Sequence, residues 1–173
     1  MAGKLVQVAT NTVTSAVANV TLTGIDSDDV YVVFITGYLS SASTAQRFRV
    51  TKSGTAQSDA EYDFAGKFLR TDTTFSKGEN VNQTEGHYSG NLTSSAAENA
   101  GNHILYLYNF NSSSEFSLVS LETAGYYDNG GSDFLAGHQG TCVHTVASAS
   151  DGIQFFQTSG NITAGTFTLY KVL

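Results

Sequence analysis

Residues 151–173 read Asp-Gly-Ile-Gln-Phe-Phe-Gln-Thr, then Ser-Gly-Asn-Ile-Thr-Ala-Gly, then Thr-Phe-Thr-Leu-Tyr-Lys-Val-Leu. Two apolar runs of period two flank a Gly/Asn/Ser connector. In the last run Phe167 and Leu169 point one way and Thr166, Thr168 and Tyr170 the other, the alternation of a half-buried strand. The stretch reads as a closing pair of strands, with the C-terminus itself inserted in a sheet. Phe167, Leu169 and at least one of Phe155 and Phe156 are expected in the core.

Two other runs set the scale of the fold. Residues 30–39 (Val-Tyr-Val-Val-Phe-Ile-Thr-Gly-Tyr-Leu) are apolar almost throughout, which predicts a central strand buried on both faces. Residues 103–110 place Ile104, Tyr106 and Tyr108 opposite Leu105 and Leu107. After a turn at 111–114, residues 115–123 read as the hairpin partner, with a phase change near Val119 that predicts a bulge. Further strands are expected at 4–10, 16–23, 46–52, 61–70 (with a bend at Gly66) and 141–147. Residues 71–102 form a long polar tract with short strands expected around 82–88 and Leu92. Residues 124–137 are a Gly/Asp/Asn-rich loop. About nine to eleven closely spaced strands with almost no helix predict an antiparallel, jelly-roll-like β-sandwich. The whole of 1–173 is read as one domain, with 1–10 as an N-terminal arm or strand.

Composition agrees. A chain of 173 residues is long enough to bury a sizeable core. Cys142 is the only cysteine, so no internal disulfide forms. Charged residues are 13%, about half the usual share, and aromatics are 12%. The formal charge of −7, from 8 basic and 15 acidic residues, argues against nucleic acid as a partner, and no basic stripe offsets it. No apolar run is long enough for a transmembrane helix, so no membrane is expected. The first residues show no apolar segment of the secretory kind, which predicts synthesis in a cytoplasm.

Chemistry-bearing residues do not assemble into a motif. Cys142 and His144, two apart on a strand, make half a zinc site at most and read as a core thiol beside a partly buried imidazole. Asp26, Asp28 and Asp29 suggest an oxygen-rich cation loop, but its fifth and twelfth positions fall on Val30 and Gly37, which cannot ligate. Glu61 with Asp63, or Glu115 with Glu122, are carboxylate pairs that nothing singles out for glycoside chemistry. No nucleophile elbow, phosphate loop or dinucleotide fingerprint occurs. Asn19, Asn91 and Asn161 head sequons of the kind a Thr/Ser-rich chain produces by chance. The expectation is therefore no catalytic residue, no metal and no cofactor. Tyr88, Tyr126 and Tyr127 are the candidate contacts for a partner surface or a glycan ring.

Four stretches carry a resemblance. They are 22–31 (Leu-Thr-Gly-Ile-Asp-Ser-Asp-Asp-Val-Tyr), 61–65 (Glu-Tyr-Asp-Phe-Ala), 151–156 (Asp-Gly-Ile-Gln-Phe-Phe) and 159–162 with 165–170. Together the chain resembles small β-sandwich virion proteins of tailed bacteriophages, particularly marine ones. The resemblance implies a non-enzymatic structural protein made in the host cytoplasm and located in the virion. Its first implied role is capsid decoration or cement, bound to the major capsid protein or other virion proteins in many copies. The alternative is a tail- or head-fibre module that contacts host glycans. Self-association as a trimer or dimer is expected from the low charge and apolar strand faces. The partner surface is expected in 71–102, in 124–137 and in the N-terminal arm.

Overall fold

The computed structural model describes residues 3–72, 75–90, 100–127 and 134–173. Among these there is no helix, and thirteen strands form two antiparallel sheets that pack as a β-sandwich. The strands are β1 (Leu5–Val13), β2 (Asn19–Thr23), β3 (Tyr31–Ser40), β4 (Gln46–Lys52), β5 (Thr55–Ala56), β6 (Tyr62–Arg70), β7 (Ser76–Gln83), β8 (Gly86–Ser89), β9 (Gly101–Tyr108), β10 (Ser117–Tyr127), β11 (Phe134–His144), β12 (Gly152–Gln157) and β13 (Ile162–Val172). The wide sheet has the order β1-β13-β3-β9-β10-β11-β6-β7. The small sheet runs β2-β12-β4-β5, with β8 also paired to β4. The eight-plus-five division differs from the paired four-stranded sheets of a simple jelly roll.

The closing stretch supplies one strand to each sheet. β12 lies between β2 and β4, and β13 lies between β1 and β3. The two are not paired with each other, so they are not a hairpin. Their connector changes sheets through Gly160, whose φ of +83° suits glycine and whose missing Cβ leaves room for Ala42 at 2.8 Å. Phe167 and Leu169 are buried in the core between the sheets, as the alternation predicts, and of Phe155 and Phe156 it is Phe155 that joins them. Phe156 takes the opposite face, where Arg49 lies over its ring at 4.5 Å.

Several boundaries move, each for a local reason. The N-terminal arm is a strand: β1 pairs with β13 from Leu5 to Val13, and Lys4 and Leu173 exchange backbone hydrogen bonds. Those residues are therefore committed to their own sheet. β10 keeps unbroken register with both neighbours, so there is no bulge at Val119. The apparent phase change arises because Leu118 is apolar yet points outward. The loop expected at 124–137 is largely strand, since β10 runs to Tyr127 and β11 starts at Phe134. Residues 128–133 and Leu92 lie outside the described residues. Within 71–102 the polar β7 forms the sheet margin, and the four-residue β8 joins the small sheet.

Candidate interaction surface

The inner face of the wide sheet is unusually rich in imidazole. His103 on β9 and His138 and His144 on β11 point into the sandwich, and His87 on β8 meets them from the opposite side. The rings of His87 and His138 are 5.4 Å apart. His138 stacks on Phe68 at 4.4 Å, and His87 lies 4.6 Å from Phe64. His103 meets Tyr38 and Tyr88 edge-on at 5.6 and 5.3 Å. Few polar partners reach these rings: His87 Nε2 is 2.6 Å from the Ser89 carbonyl and His138 Nδ1 is 3.3 Å from that of Tyr88.

Burial fixes their chemistry. Desolvation, with Arg47 and His138 adding repulsion, pushes His87 down to about 3. Burial takes His103 to about 3 and His138 to about 4. His144 is lowered by burial despite Glu61 Oε2 at 3.3 Å. The Cys142 thiol is pushed up to about 12 by burial. At neutral pH this interior therefore holds neutral imidazoles and a protonated thiol, a poor setting for nucleophilic or acid–base work. Cys142 and His144 do share the inner face of β11, but among the described residues no three His, Cys, Asp or Glu groups could hold a metal.

The remaining sequence candidates are placed separately. Tyr88 is 0% exposed, its ring edge-on to Phe155 at 5.5 Å, so it is a core residue and cannot be a contact for a partner or glycan. The reason is that β8 pairs with β4 and turns this side chain inward. Tyr126 is 40% exposed at the far end of β10, and Tyr127, its neighbour on the other face, packs on Phe134 at 4.7 Å. The acidic turn is tied down by its own neighbours. Ser27 Oγ donates to Asp29 at 2.7 Å, Tyr31 OH donates to Asp26 at 3.1 Å, and Lys171 pairs with Asp29 at 2.6 Å. Asp63 accepts the Asn82 backbone N–H at 2.8 Å, Glu61 lies 3.3 Å from His144, and Glu122 accepts from Gln139 Nε2 at 3.3 Å.

The outer face of the same sheet carries the surface that sequence motifs did not identify. Register sets its rows. Tyr170, Val32, Tyr106, Ser120 and Thr141 follow one another across β13, β3, β9, β10 and β11. The next row runs Thr168, Phe34, Ile104, Glu122. On the other side Tyr108, Leu118 and Val143 align. Phe34 and Tyr170 meet edge-on at 5.8 Å. Tyr106 is 43% and Leu118 40% exposed, while Val32 between Tyr106 and Tyr170 is 1% exposed yet not part of the interior core cluster. Beside this patch, between β10 and β7, lies an open groove of about 720 Å³ lined by Leu118, Val143, Asp63, Ala65 and Val81. An antiparallel sheet of a sandwich ordinarily presents polar side chains to water. Contiguous apolar patches of several hundred Å² are a usual feature of contact surfaces. The signal was present in the sequence: 30–39 and 103–110 are apolar on both faces of a strand, and a strand of that type needs cover on both sides. No family model matches the chain, and a search of curated proteins found no match.

Proposed function

We propose that the chain is a structural protein of a tailed-phage virion, most simply a capsid decoration or cement protein held in many copies on the head, and not an enzyme. The observation that carries this reading is the apolar outer face of the wide sheet, centred on Tyr106 and Leu118, which is suited to being covered in an assembly. The disulfide-free sandwich, the acidic surface and the neutral, buried histidines fit a passive scaffold that acts by contact. On this reading symmetry multiplies a modest contact over many sites. The major capsid protein or a neighbouring virion protein is the partner, and the virion is the location.

The test is co-sedimentation of the purified chain with tailless heads. Saturable binding at a fixed ratio to capsid subunits is expected. Binding confined to tails or fibres would overturn the decoration role. The fibre alternative draws on the exposed Tyr126 and Leu135 at one end of the β10–β11 pair, and retention on host glycans without head binding would favour it.

A further inference from the structure

We infer that the outer face of the wide sheet is covered by a second copy of the same chain, in an isologous sheet-on-sheet dimer. The inference rests on reading the chain as an assembly component and names the occupant of that face. Three observations carry it.

The first is position. β9 and β10 are the fourth and fifth of eight strands, so Tyr106 and Leu118 sit at the middle of the sheet. A twofold axis through that middle brings the most exposed apolar side chains of one copy against those of the other. Contact energy is concentrated in such a central cluster, and the isologous arrangement closes instead of propagating.

The second is charge. The outward residues of β13, β3 and β9 include Thr166, Thr168, Tyr170, Val32, Phe34, Ile104 and Tyr106, none of them charged. The charges on this face lie mainly toward the β7 margin. There Lys67 and Lys77 lie across from each other, Asp63 stands on the same strand as Lys67, and Lys77 pairs with Glu79 at 2.8 Å. Glu122 on β10 is the one charge near the centre among the described residues. The face is thus close to neutral on a chain of charge −7, and two copies can meet there without the repulsion that other surfaces would impose. A strongly basic partner would find its complement on the acidic turns instead.

The third is area. Eight strands about 4.8 Å apart and about eight residues long give a face of about 1,000 Å², so contact over most of it reaches the ~800 Å² per partner of a standard stable interface. Two such faces pack about 10 Å apart with strands within about 30° of alignment, as sheets in sandwiches do.

Sedimentation equilibrium of the full chain tests the inference. The wild type is expected to be a dimer, and the double variant Tyr106→Lys/Leu118→Lys a monomer, its dissociation constant raised about 100-fold or more. Circular dichroism and thermal midpoint establish that the double variant is folded. Gln154→Lys, on the outer face of the small sheet, is the control and should remain dimeric. If the double variant fails to fold, Tyr106→Cys replaces it, and a bis-maleimide reagent with a span of about 10 Å should link two copies through this residue because Cys142 is buried. A wild type that stays monomeric at the highest attainable concentration overturns the inference, as does a dimer that survives the double substitution or a failure of Tyr106→Cys to cross-link. Head binding separates this from the broader proposal. A monomeric wild type that binds heads through Tyr106 and Leu118 would assign the face to the capsid, removing the dimer and leaving the decoration role standing.

Discussion

The two faces of the wide sheet are built from alternate residues of the same strands, yet each departs from the usual rule in the opposite direction. Inside, His103, His138 and His144 take core positions beside Ser117 and Thr123. Outside, Val32, Phe34, Ile104, Tyr106, Leu118 and Tyr170 take positions that water ordinarily claims. The comparison separates two meanings of burial. An imidazole can occupy a core when it is neutral and flanked by rings, as His138 is by Phe68 and Phe64. An apolar outer face is complete only when something covers it. The inner face is therefore sensitive to protons, and, on the proposed dimer, the outer face to association.

Acid should give the largest effect. His87, His103 and His138 titrate near 3 to 4 when folded, against an ordinary 6.5, so the unfolded chain binds more protons below that value. Their contribution to stability is complete above about pH 6.5 and is lost as pH falls toward 3 to 4. At about pH 5 the three together should lower stability by about 6 kcal/mol, comparable with the whole stability of many domains. Denaturant titrations at several pH values measure this, and a stability that is flat between neutral and mildly acidic pH would break the account of the inner face.

Phe167→Ala comes next. The ring is buried between the sheets and meets Phe155 at 5.6 Å and Tyr38 at 6.1 Å, so its loss should cost about 3–5 kcal/mol. Phe34→Ala, one strand away but on the outer face, should cost clearly less in the monomer, and equal losses measured by chemical denaturation would erase the distinction between the faces.

Gly86→Ala probes how tightly β8 closes the open side of the sandwich. A Cβ there would run into the Phe48 ring, so overpacking should cost about 1–3 kcal/mol. Heat or denaturant unfolding will show it, and an unchanged midpoint would mean that β8 packs more loosely than its contacts indicate.

The smallest effect belongs to the outer face within a single copy. Leu118→Ser should change monomer stability by no more than about 0.5 kcal/mol, as exposed substitutions usually do. Its consequence should appear as weaker association. A large loss of stability at concentrations where the chain is monomeric would show that Leu118 is a folding residue rather than a contact.

Much of the fold was legible because side-chain alternation is a local property. The strand at 46–52 and most of that at 103–110 follow from it directly, and so does the sharing of one face by Phe48 and Val50 and of another by Leu105 and Leu107, faces that the structure turns inward. The candidate contacts were less legible. Tyr88 sits in a polar tract, and only its pairing to β4 turns it into the core. Tyr106 and Leu118 belong to apolar runs, where a sequence alone does not say which of two apolar faces remains uncovered. The histidines looked like scattered polar residues, although His138 and His144 share the phase of Cys142 on β11.

The residues at 151–173 mark where the two sources part. By itself the sequence determined that they form two strands, that Phe167 and Leu169 face inward and that one of Phe155 and Phe156 joins them, because period-two alternation depends only on neighbours along the chain. It did not determine that the strands lie in different sheets. β12 finds β2 and β4, and β13 finds β1 and β3, across separations of 100 residues and more. Those pairings are decided by which apolar faces can be buried together once all thirteen strands compete for neighbours, and that competition exists only in the folded chain.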